Sequence, residues 1–255
     1  MKRSAQNIGF ASVLLAAALL PATAFSAEHD GQWHVNGEFY LWGADTELTA
    51  VAGQEIDADF NAVLDNLEMA FMGALGARKD RVSWFGDIMY VGIGGSKTVP
   101  ATIPGVPVPL DAKVKLEQDA WIVTAGGGYA VSDSEHHFFD LMGGVRYFNL
   151  KTDIGIDFGG GLAGSLSDSS DVLDAFVGIK GRADLSDRWY LGYYADVGTG
   201  QSDLTWQVLA DFNYEFSKVD LGFGYRILEW QLDGKSVLDK FQISGPYAGI
   251  IFKFK

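Results

Sequence analysis

The stretch Thr205-Trp206-Gln207-Val208-Leu209-Ala210-Asp211-Phe212-Asn213-Tyr214-Glu215-Phe216 decides the fold. Trp206, Val208, Ala210, Phe212, Tyr214 and Phe216 alternate with Thr205, Gln207, Leu209, Asp211, Asn213 and Glu215. A pleated strand sends successive side chains to opposite faces, so this period of two makes one apolar face and one polar face. Beyond Ser217-Lys218 the pattern resumes, with Val219, Leu221, Phe223, Tyr225 and Ile227 set against Asp220, Gly222, Gly224 and Arg226. Upstream, Leu173, Ala175, Val177 and Ile179 alternate with Asp174, Phe176, Gly178 and Lys180, and Trp33 to Trp42 reads the same way.

Extended along the chain, the pattern predicts ten strands, at 32–43, 67–78, 82–94, 112–131, 137–154, 171–185, 188–199, 203–216, 219–231 and 237–254. Their connections alternate in length. Lys79-Asp80-Arg81, Ser132 to His136, Ser186-Asp187 and Ser217-Lys218 are tight, whereas 44–66, 95–111 and 155–170 are long. An even number of antiparallel strands, tight turns at one end and long loops at the other is the pattern of a closed, up-and-down transmembrane β-barrel. A barrel pairs every backbone group inside hydrocarbon and leaves no edge. Trp33, Trp84, Tyr129, Trp189, Tyr214 and Phe216 fall near the tight-turn end, where an interfacial aromatic girdle belongs. A soluble barrel would bury that set instead and expose Asp87, Asp140, Asp174, Asp211 and Arg226.

Composition agrees with this class. The chain has 255 residues, 33 Asp plus Glu against 19 Lys plus Arg, a net charge of −14, 32 Gly and no Cys. Such acidity argues against a nucleic-acid partner, which needs cations to neutralise phosphates. The absence of cysteine excludes disulfides, thiolate metal sites and thiol nucleophiles. Lys2 and Arg3, the apolar run Ile8 to Leu20, and Ala22-Thr23-Ala24 form the three parts of a secretory signal. Cleavage is expected after Ala24, with Ser26 and Ala27 as alternative ends, leaving 28–255 as one barrel domain. The apolar run is too short to span a bilayer as a helix.

Several short motifs occur together: Leu64-Asp65-Asn66-Leu67, Phe85-Gly86-Asp87-Ile88-Met89-Tyr90, Gly144-Val145-Arg146-Tyr147, Asp184-Leu185-Ser186-Asp187-Arg188-Trp189, Asp196-Val197-Gly198, Gly224-Tyr225-Arg226 and Gly245-Pro246. In this order they resemble an uncharacterised family of Gram-negative outer-membrane β-barrel proteins. More loosely, the chain is similar to the small eight- to ten-stranded barrels. The resemblance implies fold and location, and carries no substrate or catalytic residue. The last strand, with Ala248, Ile250, Phe252 and Phe254 alternating toward the C-terminus, resembles the terminal signal read by the barrel assembly machinery, although Lys255 follows the final aromatic residue. Expected partners are therefore that machinery, periplasmic chaperones, outer-membrane lipid and lipopolysaccharide.

The polar face holds the candidate site. Glu38, Asp87, Arg146, Lys180, Asp196, Asp211 and Arg226 fall at similar heights above the tight turns and form a predicted charged belt in the lumen. Such a belt either selects ions or solutes as a constriction, or fills the lumen as a salt-bridged plug. Tyr40, Trp42, Phe85, Met89, Tyr190 and Tyr194 also point inward, which favours the plug. The alternatives are a narrow channel for small cationic or amphipathic solutes, a surface enzyme, or an adhesin. His29, His34, His136 and His137 all lie at the periplasmic end, so the outer rim has no histidine base and no enzymatic activity is expected. No cofactor or metal motif appears. Asp45, Glu47, Glu55, Asp57, Asp59 and Asp65 make the first loop acidic, better read as solvated than as a cation site. Phe60, Val63, Leu64 and Leu67 with Asp59 as N-cap predict a two-turn helix. The proline-rich second loop reads as a stiff excursion, and the Gly/Ser-rich third loop, 159–170, as mobile.

Overall fold

The computed structural model describes residues 31–43, 45–50, 54–58, 67–101, 110–158, 163–232 and 238–254. The strands are β1 (His34–Trp42), β2 (Asp45–Ala50), β3 (Gln54–Ala58), β4 (Leu67–Lys79), β5 (Val82–Ala101), β6 (Leu110–Ser134), β7 (His137–Asp157), β8 (Ala163–Asp184), β9 (Trp189–Gly200), β10 (Leu204–Glu215), β11 (Val219–Gln231) and β12 (Leu238–Phe254). Every ladder is antiparallel, the order being β1-β4-β5-β6-β7-β8-β9-β10-β11-β12, and β12 pairs with β1. That last ladder, from Val35↔Phe254 to Trp42↔Tyr247, closes a ten-stranded barrel. With strands about 4.8 Å apart and tilted by roughly 40°, its opposite walls stand about 20 Å apart. Long side chains from facing walls can meet across such a lumen.

The alternation sorts side chains as hydrocarbon requires. Phe39, Leu75, Trp84, Leu141, Val177, Phe212, Phe223 and Ile250 are exposed on the outer wall, whereas Glu38, Asp87, Asp140, Arg146, Asp211 and Arg226 are buried inside. The terminal Ala248, Ile250, Phe252 and Phe254 lie on this outer face. Trp33, Trp84, Tyr129 and Trp189 ring the periplasmic end, each at least 40% exposed. A second aromatic level includes Trp121 and Tyr147, with the Tyr90 and Trp121 rings 4.7 Å apart. On β6 this level is separated from the first by the run Trp121 to Tyr129, about 20 Å of tilted strand, close to the apolar band of an outer membrane.

The walls differ in height. The pairs β5–β6, β6–β7 and β7–β8 continue to Ala101↔Leu110, Lys113↔Asp157 and Asp157↔Ala163, well above the upper girdle. β8 pairs with β9 only from Asp174↔Gly200 onward, with Leu173 bonded to Gln201, so among the described residues Ala163–Val172 pairs along one edge alone. The raised sheet is amphipathic: Val114, Leu116, Ile154, Ile156 and Leu166 share the inner face, while Lys115–Glu117 and Lys151–Asp153 pair on the outer one. Hydrogen bonds from Lys151 and then Ser167 hold the Asp153 carboxyl below its usual range.

Three expectations change. The Ser-rich segment 163–170, read as part of a mobile loop, is strand, because the ladder to β7 and its Ile154 and Ile156 extends it. The second connection shrinks likewise, since β5 runs through Pro100, tolerated where β5 has one partner strand among the described residues. Within the first connection, β2 extends the β1 wall along β12, and β3 pairs back on β2 as a hairpin. The predicted helix falls on 59–66, outside the described residues, and Leu67 opens β4. Residues 1–30, which include the predicted signal, also lie outside them.

Close packing inside the barrel requires glycine at one strand crossing. Gly126 and Gly144 are direct partners, and a Cβ on Gly144 would collide with the Ala125 carbonyl and lie 2.8 Å from both Gly126 Cα and Phe176 Cζ. Gly164 has nothing within 4 Å of its Cβ position. Gly144→Ala is expected to cut the refolded fraction, read by heat-modifiable electrophoretic mobility, at least by half, while Gly164→Ala refolds like the parent protein.

Candidate functional site

Every member of the predicted belt is inside the barrel, and none exceeds 7% exposure. The belt is not a level ring. Following cross-strand partners, Glu38, Ala74, Asp87, Thr124, Arg146 and Asp174 form one row. Asp140, Lys180, Tyr194, Leu209 and Arg226 form another. The stagger needed to close a barrel makes such rows climb, so height counted from the turns does not align residues.

Arg146 and Asp196 form the central pair, fully buried. Arg146 Nη1 also donates to Thr205 Oγ1 at 3.1 Å, and Tyr194 donates to Asp196 Oδ2 at 2.5 Å. Arg226 donates to Gln207 Oε1, which Arg146 Nη2 also reaches at 3.4 Å. Each guanidinium lies over a ring, Arg146 at 5.2 Å from Phe176 and Arg226 at 5.3 Å from Trp42. Rings of this kind stabilise a desolvated cation through their quadrupole.

The acidic members are held by tyrosines. Tyr40 donates to Asp87 Oδ2 at 2.6 Å, and Tyr247 donates to Asp211 Oδ2 at 2.5 Å. Lys180 lies 5.5 Å above the Phe85 ring. Glu38 receives no hydrogen bond among the described residues.

A lower network, not anticipated as a unit, stands at the periplasmic end. Arg78 pairs with Asp140, which also accepts from Ser83 at 2.8 Å. Arg182 Nη2 donates to Glu215 at 2.7 Å, and Lys253 bridges Glu215 and Asp220, 2.8 Å from each. At the opposite end Phe148 of β7 meets Trp230 of β11 and Phe241 of β12, with centroids 4.9 and 5.2 Å away. In the strand order β7 and β12 are diametrically opposed, so this stack crosses the whole lumen. Period two gave Asp140 its inward face, but it showed none of these contacts across the barrel.

The histidines stand apart from all of this. His137 accepts or donates to Ser132 and Ser134 at 2.9 and 2.6 Å in the periplasmic turn, and His136 is 3.9 Å from Asp184. Among the described residues no three His, Cys, Asp or Glu side chains converge to hold a metal.

A closed antiparallel barrel with an apolar outer wall, two aromatic girdles and a charged interior is a transmembrane β-barrel of the Gram-negative outer membrane. No family model matches the chain, and no curated protein matches it. Among solved structures it is similar to the translocator domain of the autotransporter NalP from Neisseria meningitidis, at 17% identity and a TM-score of 0.47 over 89% of this chain and 91% of that one. It is also similar to the outer membrane protease OmpT from Escherichia coli, at 11% identity and 0.44 over 91% and 100%. The attachment invasion locus protein Ail of Yersinia pestis is a third, at 11% and 0.38 over 87% and 98%.

Removing one partner of a buried ion pair strands the other charge, at a cost of roughly 3–5 kcal/mol, whereas replacing both with apolar groups costs far less. Asp196→Leu is expected to lower the unfolding midpoint in urea sharply. Combining it with Arg146→Met should restore most of that loss.

Proposed function

We propose that this protein is an outer-membrane barrel of structural or weakly conducting character whose lumen is plugged by its own side chains. The observation that carries this reading is the stack of Phe148, Trp230 and Phe241 across the lumen, with Trp230 fully buried. Below it, the Arg146–Asp196 and Arg226–Gln207 contacts occupy the middle, and Arg78–Asp140 with Arg182–Glu215 occupies the periplasmic end. Three successive tiers leave an ion no continuous water column.

A second reading is a narrow cation-preferring channel or uptake protein. It is favoured by charge: Glu38, Asp87, Asp140, Asp174, Asp196, Asp211 and Asp220 face inward against Arg78, Arg146, Lys180, Arg182 and Arg226. Neither reading gives the chain a catalytic role. On either, export by the signal at 1–24 would precede escort by periplasmic chaperones. The assembly machinery would then read the outward-facing Ala248, Ile250, Phe252 and Phe254, and lipopolysaccharide would surround the raised β5–β8 wall.

Planar-bilayer recording of the refolded protein separates the two. The plugged reading expects silence from inserted barrels, and continued silence from Phe148→Ala combined with Trp230→Ala, because the two lower tiers remain. Regular cation-selective steps from the parent protein would overturn it in favour of the channel.

A further inference from the structure

Two glycines of the lumen wall face each other with no side chain between them. Gly222 on β11 and Gly249 on β12 are direct cross-strand partners. A Cβ on Gly249 would collide with Glu38 Oε1, and one on Gly222 would lie 2.5 Å from Asn213 Oδ1 and 3.8 Å from the Tyr247 hydroxyl. The space that two side chains would fill is therefore given to oxygen atoms, brought there by β1, β10 and β12.

The donors at this cradle are already engaged. Tyr247 Oη and Asn213 Nδ2 both donate to Asp211 Oδ2, at 2.5 and 2.8 Å. The second of these bonds fixes the Asn213 amide, leaving its carbonyl oxygen toward Gly222. Glu38 Oε1 and Oε2, Asp211 Oδ1 and Asn213 Oδ1 receive no hydrogen bond among the described residues. Glu38 is 3% exposed, and Asp211 and Asn213 are fully buried. Asp211, Asp87, Asp220 and Lys180 lie within electrostatic reach of Glu38, and Lys180 within that of Asp211. Water could complete the hydrogen bonding, but Glu38 and Asp211 would still place two carboxylates in a region that also holds Asp87 and Asp220, with Lys180 in reach of both. Buried charge left in that state is costly.

We infer that Glu38, Asp211 and Asn213 form a cation site over the Gly222–Gly249 floor, suited to Ca²⁺. The donor set consists only of hard oxygens, two carboxylates and an amide carbonyl, with water completing a shell that Ca²⁺ accepts in flexible geometry. It needs only two acidic side chains, and among the described residues no acidic trio converges. Because inward carboxylates outnumber inward cations, a bound cation reduces the imbalance of the lumen. Asn36, buried and with neither amide atom hydrogen-bonded among the described residues, stands two residues below Glu38 on the same face of β1 and adds a further polar group beside the site. The inference does not depend on whether the lumen conducts.

Tyr247 also supplies the assay. Tb³⁺ replaces Ca²⁺ at oxygen sites and emits when a nearby tyrosine is excited. With the refolded protein in detergent, Tb³⁺ titration should give saturable tyrosine-sensitised emission that Ca²⁺ displaces. Glu38→Gln is expected to weaken that component at least tenfold, and Asn213→Ala, which keeps both carboxylates, should weaken it as well. Asp153→Asn, on the extracellular wall, should leave it unchanged. Emission that persists unchanged in folded Glu38→Gln or Asn213→Ala would overturn the site, as would the absence of any Ca²⁺-displaceable emission. If Glu38→Gln does not refold by heat-modifiable mobility, Asn213→Ala decides.

Discussion

The ladder between β1 and β12 is the interaction on which everything else depends. Hydrocarbon offers no partner to a free N–H or C=O, so a sheet can span it only by meeting its own first strand. Val35 through Trp42 does this against Tyr247 through Phe254. Once the sheet is closed, the pleat has one face toward lipid and one toward the lumen, and sequence alternation has to follow. The outer wall then takes Phe39, Leu75, Trp84 and Phe223, and the inner wall takes charges no apolar medium could accept. Closure also sets the diameter, which is small enough for Phe148 to reach Trp230 from the far side.

The interior that results is graded from end to end. Arg78, Arg182 and Lys253 with their carboxylates stand at the periplasmic mouth, guanidiniums and tyrosines in the middle, and an aromatic stack at the top. The cations of the middle tier rest on rings as well as on acids, as Arg146 does on Phe176 and Arg226 on Trp42. Aromatic residues therefore serve two purposes inside this barrel: they fill volume, and they support desolvated charge without adding negative charge.

Much of this was legible in the sequence because period two is a property of single residues in order. It identified the ten walls, the inward face of Glu38, Asp87, Asp211 and Arg226, and the outward girdle of Trp84, Tyr129 and Trp189. Contacts across the lumen were not legible, since Phe148 and Trp230 are joined only by closure and stagger. The belt spread over climbing rows for the same reason. The strand at 163–170 escaped because Ser and Gly carry no alternation of their own, and its conformation is imposed by β7. Asn213 was on the correct face but gained meaning only beside Tyr247, Gly222 and Gly249, the glycines mattering through the side chains they lack.

The single-sided rim of β8 has an implication for crowding in the membrane plane. Among the described residues Ala163–Val172 presents peptide groups with no second strand beside them above the bilayer, without the lysine and proline that interrupt β5 at Lys97 and Pro100. In solution, such a rim invites a neighbour's rim to join it antiparallel. Two barrels in one membrane share the same upward direction, however, and antiparallel registration would require one of them to be inverted. Rotation about the membrane normal brings the two tilted rims together crossed rather than aligned. The bilayer, by fixing which way is up, protects this rim from self-association in a way that the residues along it do not.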